Sequence, residues 1–165
     1  MKHLIGNIAV SFLALVSCGK ISQSDILGEW TVGEIQVQEI TAETDSGWKT
    51  RQGAGMVFVQ GETITFEKNR IIPCKSVDAN LRQYDNYPGY IDYTLSGAKL
   101  TIPSVEYSYY RQNGETVEVG QISMQGITLD VAIQGNTMNL SGTPDSTDNL
   151  GNVKKRTNVR IELSR

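Results

Sequence analysis

The chain has 165 residues and a formal net charge of −3, enough length for one domain with a hydrophobic core. This weakly acidic balance argues against nucleic acid or an anionic lipid surface as a partner. The single histidine is His3, and the two cysteines are Cys18 and Cys74, which argues against histidine-dependent catalysis and His/Cys zinc sites.

The first residues have the form of a secretory leader. A short basic segment, residues 1–3, precedes an uncharged and mostly apolar run at residues 4–16, which Ser17 and Cys18 follow. The run is shorter than the ~20 residues that a membrane-spanning helix needs, so it predicts a cleaved signal peptide over residues 1–17. Its removal takes away the only histidine of the chain.

The rest of the chain predicts a succession of short strands. The first is expected over residues 28–40, with a bulge near Gly33 where the alternation of apolar and polar residues changes phase. Later strands are expected at residues 56–60, at Ile64 and Phe66, at residues 70–74, 91–95, 100–109, 117–124 and 127–133, at Met138 and Leu140, and at residues 159–163. Polar segments at residues 41–55, 75–89 and 141–152 predict loops.

These strands define the expected fold class. Eight to ten strands joined by hairpin turns, without a convincing amphipathic helix, predict an all-β domain that is either an up-and-down antiparallel barrel or a sandwich. Each strand has one apolar and one polar face, as expected where a single face is buried. Closure into a barrel would remove the exposed sheet edges.

Two resemblances add to this interpretation, the first at the leader. Residues 15–18 read Leu-Val-Ser-Cys, which resembles the lipobox of bacterial lipoproteins. The resemblance implies that Cys18 becomes the first mature residue and carries a lipid, with palmitate among the possible acyl chains, and that residues 18–25 form a tether. Several acyl chains would anchor the protein in the cell envelope, at the outer membrane, facing the periplasm or the outside. The alternative is a plain secretory signal with an incidental cysteine.

The second resemblance covers about residues 26–165. The Gly-Glu-Trp sequence at residues 28–30, the run at residues 93–102 and the Arg-Ile-Glu-Leu sequence at residues 160–163 resemble the lipocalin-like domains of Bacteroidetes lipoproteins. The resemblance implies an up-and-down barrel with Trp30 at one end and Arg160 packed on that ring. It also implies that the barrel binds a small apolar or amphipathic molecule without catalysis.

Six large side chains are expected to point into the barrel and to line a ligand cavity. They are Trp30, Phe58, Phe66, Tyr93, Tyr107 and Met138. An eight-stranded barrel is only just wide enough for side chains or for one small ligand. The same residues could therefore fill the interior, and the chain would then be a non-catalytic protein–protein interaction module, as an accessory subunit or an inhibitor.

Four aromatic residues in polar loops are candidates for a contact surface with another envelope protein. They are Trp48, Tyr84, Tyr87 and Tyr90. All seven tyrosines lie between residues 84 and 110. The alternative is that the loop tyrosines cover the outer wall of the barrel and that the loop tryptophan folds back over one of its ends.

Catalysis, metals and cofactors are not expected. Cys74 has no histidine to activate it and is expected to be a buried, inert thiol. The segment at residues 145–149 lacks the glycine of an EF-hand calcium loop, and no pair of acidic residues indicates carboxylate catalysis. The triplet Asp145-Ser146-Thr147 resembles the O-glycosylation sequence of Bacteroidetes envelope proteins, so either hydroxyl is a candidate for glycosylation.

Overall fold

A computed structural model describes residues 21–54, 57–147 and 153–165. The leader predicted at residues 1–17 and the lipid predicted on Cys18 lie outside the described residues. The described chain contains two short helices, α1 (Gln23–Ile26) and α2 (Lys75–Leu81). Its strands are β1 (Gly28–Ile40), β2 (Lys49–Thr50), β3 (Gly53–Ala54), β4 (Phe58–Val59), β5 (Thr63–Phe66), β6 (Arg70–Ile72), β7 (Ile91–Asp92), β8 (Thr94–Ser96), β9 (Lys99–Ile102), β10 (Val105–Asn113), β11 (Thr116–Met124), β12 (Ile127–Gln134), β13 (Thr137–Gly142), β14 (Asp145–Thr147) and β15 (Val153–Ser164).

Nine strands form a nearly closed antiparallel barrel in the order β7-β6-β5-β1-β15-β13-β12-β9-β8, while β2 and β14 pair at its side. The strands at the two ends of this order, β7 and β8, are separated in sequence by Tyr93 alone. One bent segment therefore pairs with β6 on one side and with β9 on the other. The prediction of an up-and-down antiparallel barrel is confirmed, and the sandwich alternative is wrong.

The long first strand contains the predicted bulge. Its register against β15 shifts between Val32 and Ile35. A Cβ added at Gly33 would lie 3.2 Å from the carbonyl oxygen of Glu162, so glycine allows the two backbones to approach closely here. Because of the extra residue, the inward-facing positions change from even-numbered residues before the bulge to odd-numbered residues after it. Trp30, Val32 and Ile35 are therefore all buried.

Apolar side chains fill most of the barrel interior. On β12 the inward-facing Leu129 and Val131 are buried, and on β15 Val159, Ile161 and Leu163 are buried in the same alternating pattern. We call the end of the barrel at which β1 begins and β15 ends the closed end. The opposite end, at which β1 ends and β12 begins, is called the open end.

All three predicted loops contain regular structure. The loop predicted at residues 75–89 begins with α2, a short helix that was not predicted. Val77 is partly buried and Leu81 is fully buried, four residues apart on one helical face. The helix has only seven residues, too few for this periodicity to stand out. The loop predicted at residues 41–55 contains β2 and β3, and the loop predicted at residues 141–152 contains β14.

A long hairpin lies apart from the main sheet. Strands β10 and β11 pair only with each other among the described strands, through nine residue pairs from Val105–Met124 to Asn113–Thr116. The base of the hairpin is anchored in the core because Tyr107 and Met124 are buried.

Candidate functional site

The six predicted ligand-binding residues are all buried in the hydrophobic core. Trp30, Phe58, Phe66, Tyr93, Tyr107 and Met138 are at most 5% exposed. Phe66 and Tyr93 pack edge to face with their ring centroids 5.6 Å apart, and the hydroxyl of Tyr93 donates to the carbonyl oxygen of Glu67 at 2.6 Å. None of the six contributes to the lining of the two cavities described below, so they fill the interior.

The closed end of the barrel is sealed by the first tryptophan. The Nε1 of Trp30 donates to the carbonyl oxygen of Ile26 at 2.8 Å, which fixes α1 across this end. The guanidinium of Arg165 lies 4.3 Å from the centroid of the Trp30 ring. The expectation that Arg160 packs on this tryptophan is wrong, because Arg160 belongs to the outward phase of β15 and lies over Trp48 instead.

The open end contains an apolar cavity of about 330 Å³. It is lined by Val37, Glu39, Arg51, Gly53, Ala54, Gln125, Gly126, Ile127, Pro144, Thr157 and Val159. Val37 and Ile127 are partly buried and continue the inward-facing rows of β1 and β12 next to the buried Val159 of β15. Its volume is at the lower end of the range of cavities that hold small molecules.

The rim of this cavity is charged. Lys155 Nζ lies 2.6 Å from Glu39 Oε1, and both side chains are 40% exposed. The hydrogen bond from Lys155 and its positive charge lower the pKa of Glu39, and the charges of Arg51 and Lys49 lower it further. Glu39 and Arg51 line the cavity themselves, and because Glu39 is paired with Lys155, Arg51 is the cation that the rim leaves for a ligand.

Sequence reasoning did not identify the residues of the open end. The signal was present, because Val37 and Ile127 share the inward phase of residues already placed in the core. Alternation gives the face of a strand, but the stagger between strands decides which inward residues reach an end of the barrel.

A second cavity, of about 510 Å³, lies on the outer wall and is mainly polar. It is lined by Trp48, Lys99, Thr128, Asp130, Ser141, Gly142, Thr143, Asn158, Val159 and Arg160. The ring of Trp48 is 4.1 Å from the guanidinium of Arg160, and the exposed fraction of Trp48 is 38%. Lys99 and Asp130 form an ion pair of 2.7 Å along the same wall. The structure thus places Trp48 on the outer wall rather than over an end of the barrel.

The three loop tyrosines predicted to form a contact surface are partly buried in contacts within the chain. Tyr84 packs against Tyr109, with ring centroids 5.8 Å apart, and Tyr90 lies under the guanidinium of Arg70. Tyr87 has the most internal contacts of the three.

Tyr87 joins the loop, the helix and the hairpin. Its ring packs edge to face on Tyr107, with centroids 5.2 Å apart, and its hydroxyl donates to Asp78 Oδ1 at 2.9 Å. The pKa of Tyr87 is raised well above its usual range. Burial is the largest cause, and the hydrogen bond to Asp78 and the negative charge of Asp78 add to it. The alternative that the loop tyrosines cover a wall therefore fits the geometry better than an exposed surface.

Cys74 is fully buried where β6 leads into α2. Its Sγ accepts the backbone N–H of Val59 at 3.3 Å. Burial raises the pKa of this thiol, which keeps it protonated at neutral pH. The geometry fits the expectation of an inert thiol.

No helix in residues 21–54, 57–147 and 153–165 is long and apolar enough to cross a membrane. The same part of the chain contains no group of three or more histidine, cysteine or acidic side chains placed to hold a metal ion.

Comparison of the chain with protein-family models, with curated proteins and with solved structures finds no significant match. The class of the protein therefore rests on its architecture, a nearly closed antiparallel barrel with an apolar cavity at one end.

Proposed function

We propose that this protein is a lipid-anchored, lipocalin-like binding protein of the bacterial cell envelope, without catalytic activity, whose barrel holds a small amphipathic ligand at its open end. The observation that carries the proposal is the apolar cavity of about 330 Å³ at that end, with Arg51 beside the Glu39–Lys155 ion pair at its rim. The filled core below the cavity limits how deeply a ligand enters.

The two parts of the site suit the two parts of an amphipathic molecule. An apolar tail would cover Val37 and Ile127 and remove their remaining surface from water. An anionic head would lie near Arg51, whose guanidinium can donate charge-assisted hydrogen bonds, because Lys155 is already paired with Glu39. The ligand class that fits best is therefore a small carboxylate or other anion with a short apolar tail.

The position of the N-terminal segment fits an anchored protein. The amide of Gln23 contacts the hydroxyl of Tyr93, which itself donates to Glu67 at the closed end. Cys18 precedes the first described residue, Ile21, by only three positions. A lipid on Cys18 would therefore hold the closed end toward the membrane and leave the open end facing the aqueous phase.

The ligand is tested first by native mass spectrometry of the protein expressed as the full chain in a lipoprotein-processing host. We expect an added mass that disappears on denaturation. Titration with dodecanoate, dodecyltrimethylammonium and dodecanol then separates the contribution of charge from that of the tail. We expect dodecanoate to bind most tightly, and binding of none of the three would refute the ligand proposal.

Matched charge variants locate the site. Arg51→Gln removes a cation from the rim, and Lys99→Gln removes one from the outer wall. We expect the first variant to weaken dodecanoate binding about tenfold, the equivalent of ~1.4 kcal/mol, and the second to leave it unchanged. Equal weakening by the two variants would mean that dodecanoate binding depends on the net charge of the protein rather than on the open end.

The anchor is tested separately. Mass analysis of the mature N-terminus, with radiolabelled palmitate as tracer, should show acylated Cys18 as the first residue. A Cys18→Ser variant should lose the label and leave the membrane fraction. Label retained in this variant would exclude Cys18 as the acylation site without affecting the ligand proposal.

A protein–protein interaction module is the second candidate. It is favoured by the filled barrel interior, in which the six predicted ligand residues are buried. This candidate predicts that none of the three amphiphiles binds and that cross-linking captures a protein partner in the envelope instead.

A further inference from the structure

The hairpin of β10 and β11 has one covered edge and one free edge. The segment at residues 83–87 covers the outer edge of β10. The N–H of Asp85 donates to the carbonyl oxygen of Ser108 at 3.0 Å, and Asn86 Oδ1 accepts the N–H of Ser108 at 2.7 Å. Tyr110 N–H donates to Asp85 Oδ2 at 3.2 Å.

These contacts fix the direction of the backbone groups in β11. Ser108 and Tyr110 point their backbone groups away from β11, so they are the non-hydrogen-bonded positions of the hairpin. They pair with Gln121 and Val119, whose N–H and C=O groups must therefore point to the opposite edge. Val117 shares this orientation because backbone direction alternates along a strand. Within the described residues, no strand other than β10 pairs with β11.

An exposed apolar row runs beside this free edge. Tyr110 is 62% exposed, Val119 is 66% exposed and Val117 is 47% exposed. Tyr110 and Val119 are directly opposite each other across the hairpin, and Val117 follows two residues along on the same face. Only two other large hydrophobic residues of the described chain, Leu27 and Trp48, are exposed. The hairpin therefore concentrates exposed apolar surface next to unpaired backbone.

The edge lacks the features that keep strands apart in soluble proteins. Strand β11 contains no lysine and no proline, and its single charge is Glu118. That side chain lies on the other face, where it accepts a hydrogen bond from the hydroxyl of Tyr109 at 2.8 Å. A long, apolar and unguarded edge is a template for pairing with another strand.

We propose that β11 pairs with β11 of a second copy of the chain, antiparallel and about a two-fold axis at Val119, to form a four-stranded intermolecular sheet. In this register the two Val119 residues form a hydrogen-bonded pair, and each Val117 pairs with Gln121 of the second copy. The positions that form hydrogen bonds are thus those whose backbone groups are free. The register also joins the two apolar rows into one stripe across both hairpins.

The edge itself selects a second copy as the partner, because a second copy brings the same free backbone groups in the matching register and leaves no two acidic residues directly paired. In the Val119 register each Glu118 lies opposite Gly120 of the other chain, so no two acidic residues are directly paired. Each Glu118 also keeps Arg111 opposite it on β10 of its own chain. A two-fold partner carries the same free edge and the same apolar row, so one contact covers both copies.

Sedimentation velocity of the purified full-chain protein over a range of concentrations tests the dimer. We expect a dimer for the wild type and a monomer for Val119→Lys, because a lysine at the axis would face its own copy. Gln112→Lys is the matched control, since it adds the same charge on the same face of the other strand. A monomer at all concentrations, or a dimer that survives Val119→Lys, would overturn the proposal.

Thiol cross-linking tests the register. Hydrogen-bonded antiparallel pairs place their Cα atoms ~5.5 Å apart, which leaves the Cβ atoms too far apart for an unstrained disulfide but within reach of a short bifunctional thiol reagent. Such a reagent should therefore convert Val119→Cys into a covalent dimer, and Gln112→Cys should not. Equal cross-linking of the two variants would exclude this register. Amphiphile binding by a monomeric wild-type protein would separate failure of the dimer from failure of the ligand proposal.

Discussion

The guanidinium of Arg165 lies 4.3 Å from the centroid of the Trp30 ring and closes the barrel at one end. The same guanidinium donates to the carbonyl oxygen of Leu27 at 3.1 Å. It thus connects the ring with the backbone just before β1. The tryptophan is fully buried and also bonds to Ile26, so strand β15, helix α1 and strand β1 meet at this pair.

Replacement of Arg165 should destabilise the closed end. Arg165→Ala removes a cation–π contact and a hydrogen bond to a backbone carbonyl, and we expect the free energy of unfolding to fall by about 1–2 kcal/mol. Urea unfolding followed by circular dichroism measures this change. Arg160→Ala is the matched control, because its stack on the half-exposed Trp48 lies on the outer wall. An equal loss in both variants would contradict a special role for the closed-end pair.

The alternation of apolar residues predicted the barrel but not the partners of its tryptophans. It placed the bulge near Gly33 and the inward face of β12 correctly because both follow from local periodicity. The contact with Trp30 was assigned to the wrong arginine. Arg160 alternates with the inward-facing Ile161 and Leu163 and so faces outward, whereas Arg165 is at an odd-numbered position like these two residues. Strand parity distinguishes the two arginines, so this contact could have been predicted from the sequence.

The cavity at the open end could not be predicted in the same way. Val37, Ile127 and Val159 are far apart in sequence and meet only through the stagger of three strands. The exposure of Tyr110 was not predicted for a related reason. A run of alternating residues does not show which strands leave the barrel to form a separate hairpin. Long-range register, rather than local pattern, decides both features.

Alkaline conditions should unfold the protein through its buried tyrosines. Burial is the main cause of the raised pKa values of Tyr87, Tyr93 and Tyr107. The folded state keeps these protons where the unfolded chain releases them, so the stabilisation is complete below the ordinary tyrosine pKa of ~10 and is lost above it. Absorbance at 295 nm should show that these tyrosines ionise only as circular dichroism reports unfolding.

Two variants assign this alkaline transition. Tyr87→Phe keeps the ring contact with Tyr107 but removes the buried hydroxyl, so it should shift the midpoint of unfolding to higher pH. Tyr110→Phe is the control, because this residue is exposed and its loss should leave the midpoint in place. Ionisation of all seven tyrosines near pH 10 in the folded protein would contradict the prediction.

Cys74 should react only when the protein opens. The thiol is fully buried and burial raises its pKa, so both access and thiolate are lacking in the folded state. In a Cys18→Ser variant, Cys74 is the one cysteine that remains. We expect a disulfide reagent to label Cys74 at a rate that follows urea-induced unfolding. Rapid labelling in buffer without urea would show that α2 and β4 open locally and leave the thiol accessible.

Gly126 at the open end should not tolerate a side chain. A Cβ at this position would lie 2.8 Å from the backbone nitrogen of Ser104 and 3.1 Å from the carbonyl oxygen of Ile102, and backbone atoms cannot move aside cheaply. The N–H of Gly126 also donates to Ser104 Oγ at 2.8 Å, which fixes the strand at this close approach. We expect Gly126→Ala to lower the free energy of unfolding by ~1–3 kcal/mol and to weaken dodecanoate binding. Gln134→Ala, at an exposed position at the other end of β12, should change neither quantity, and a Gly126→Ala variant as stable as the wild type would show that this part of the open end rearranges.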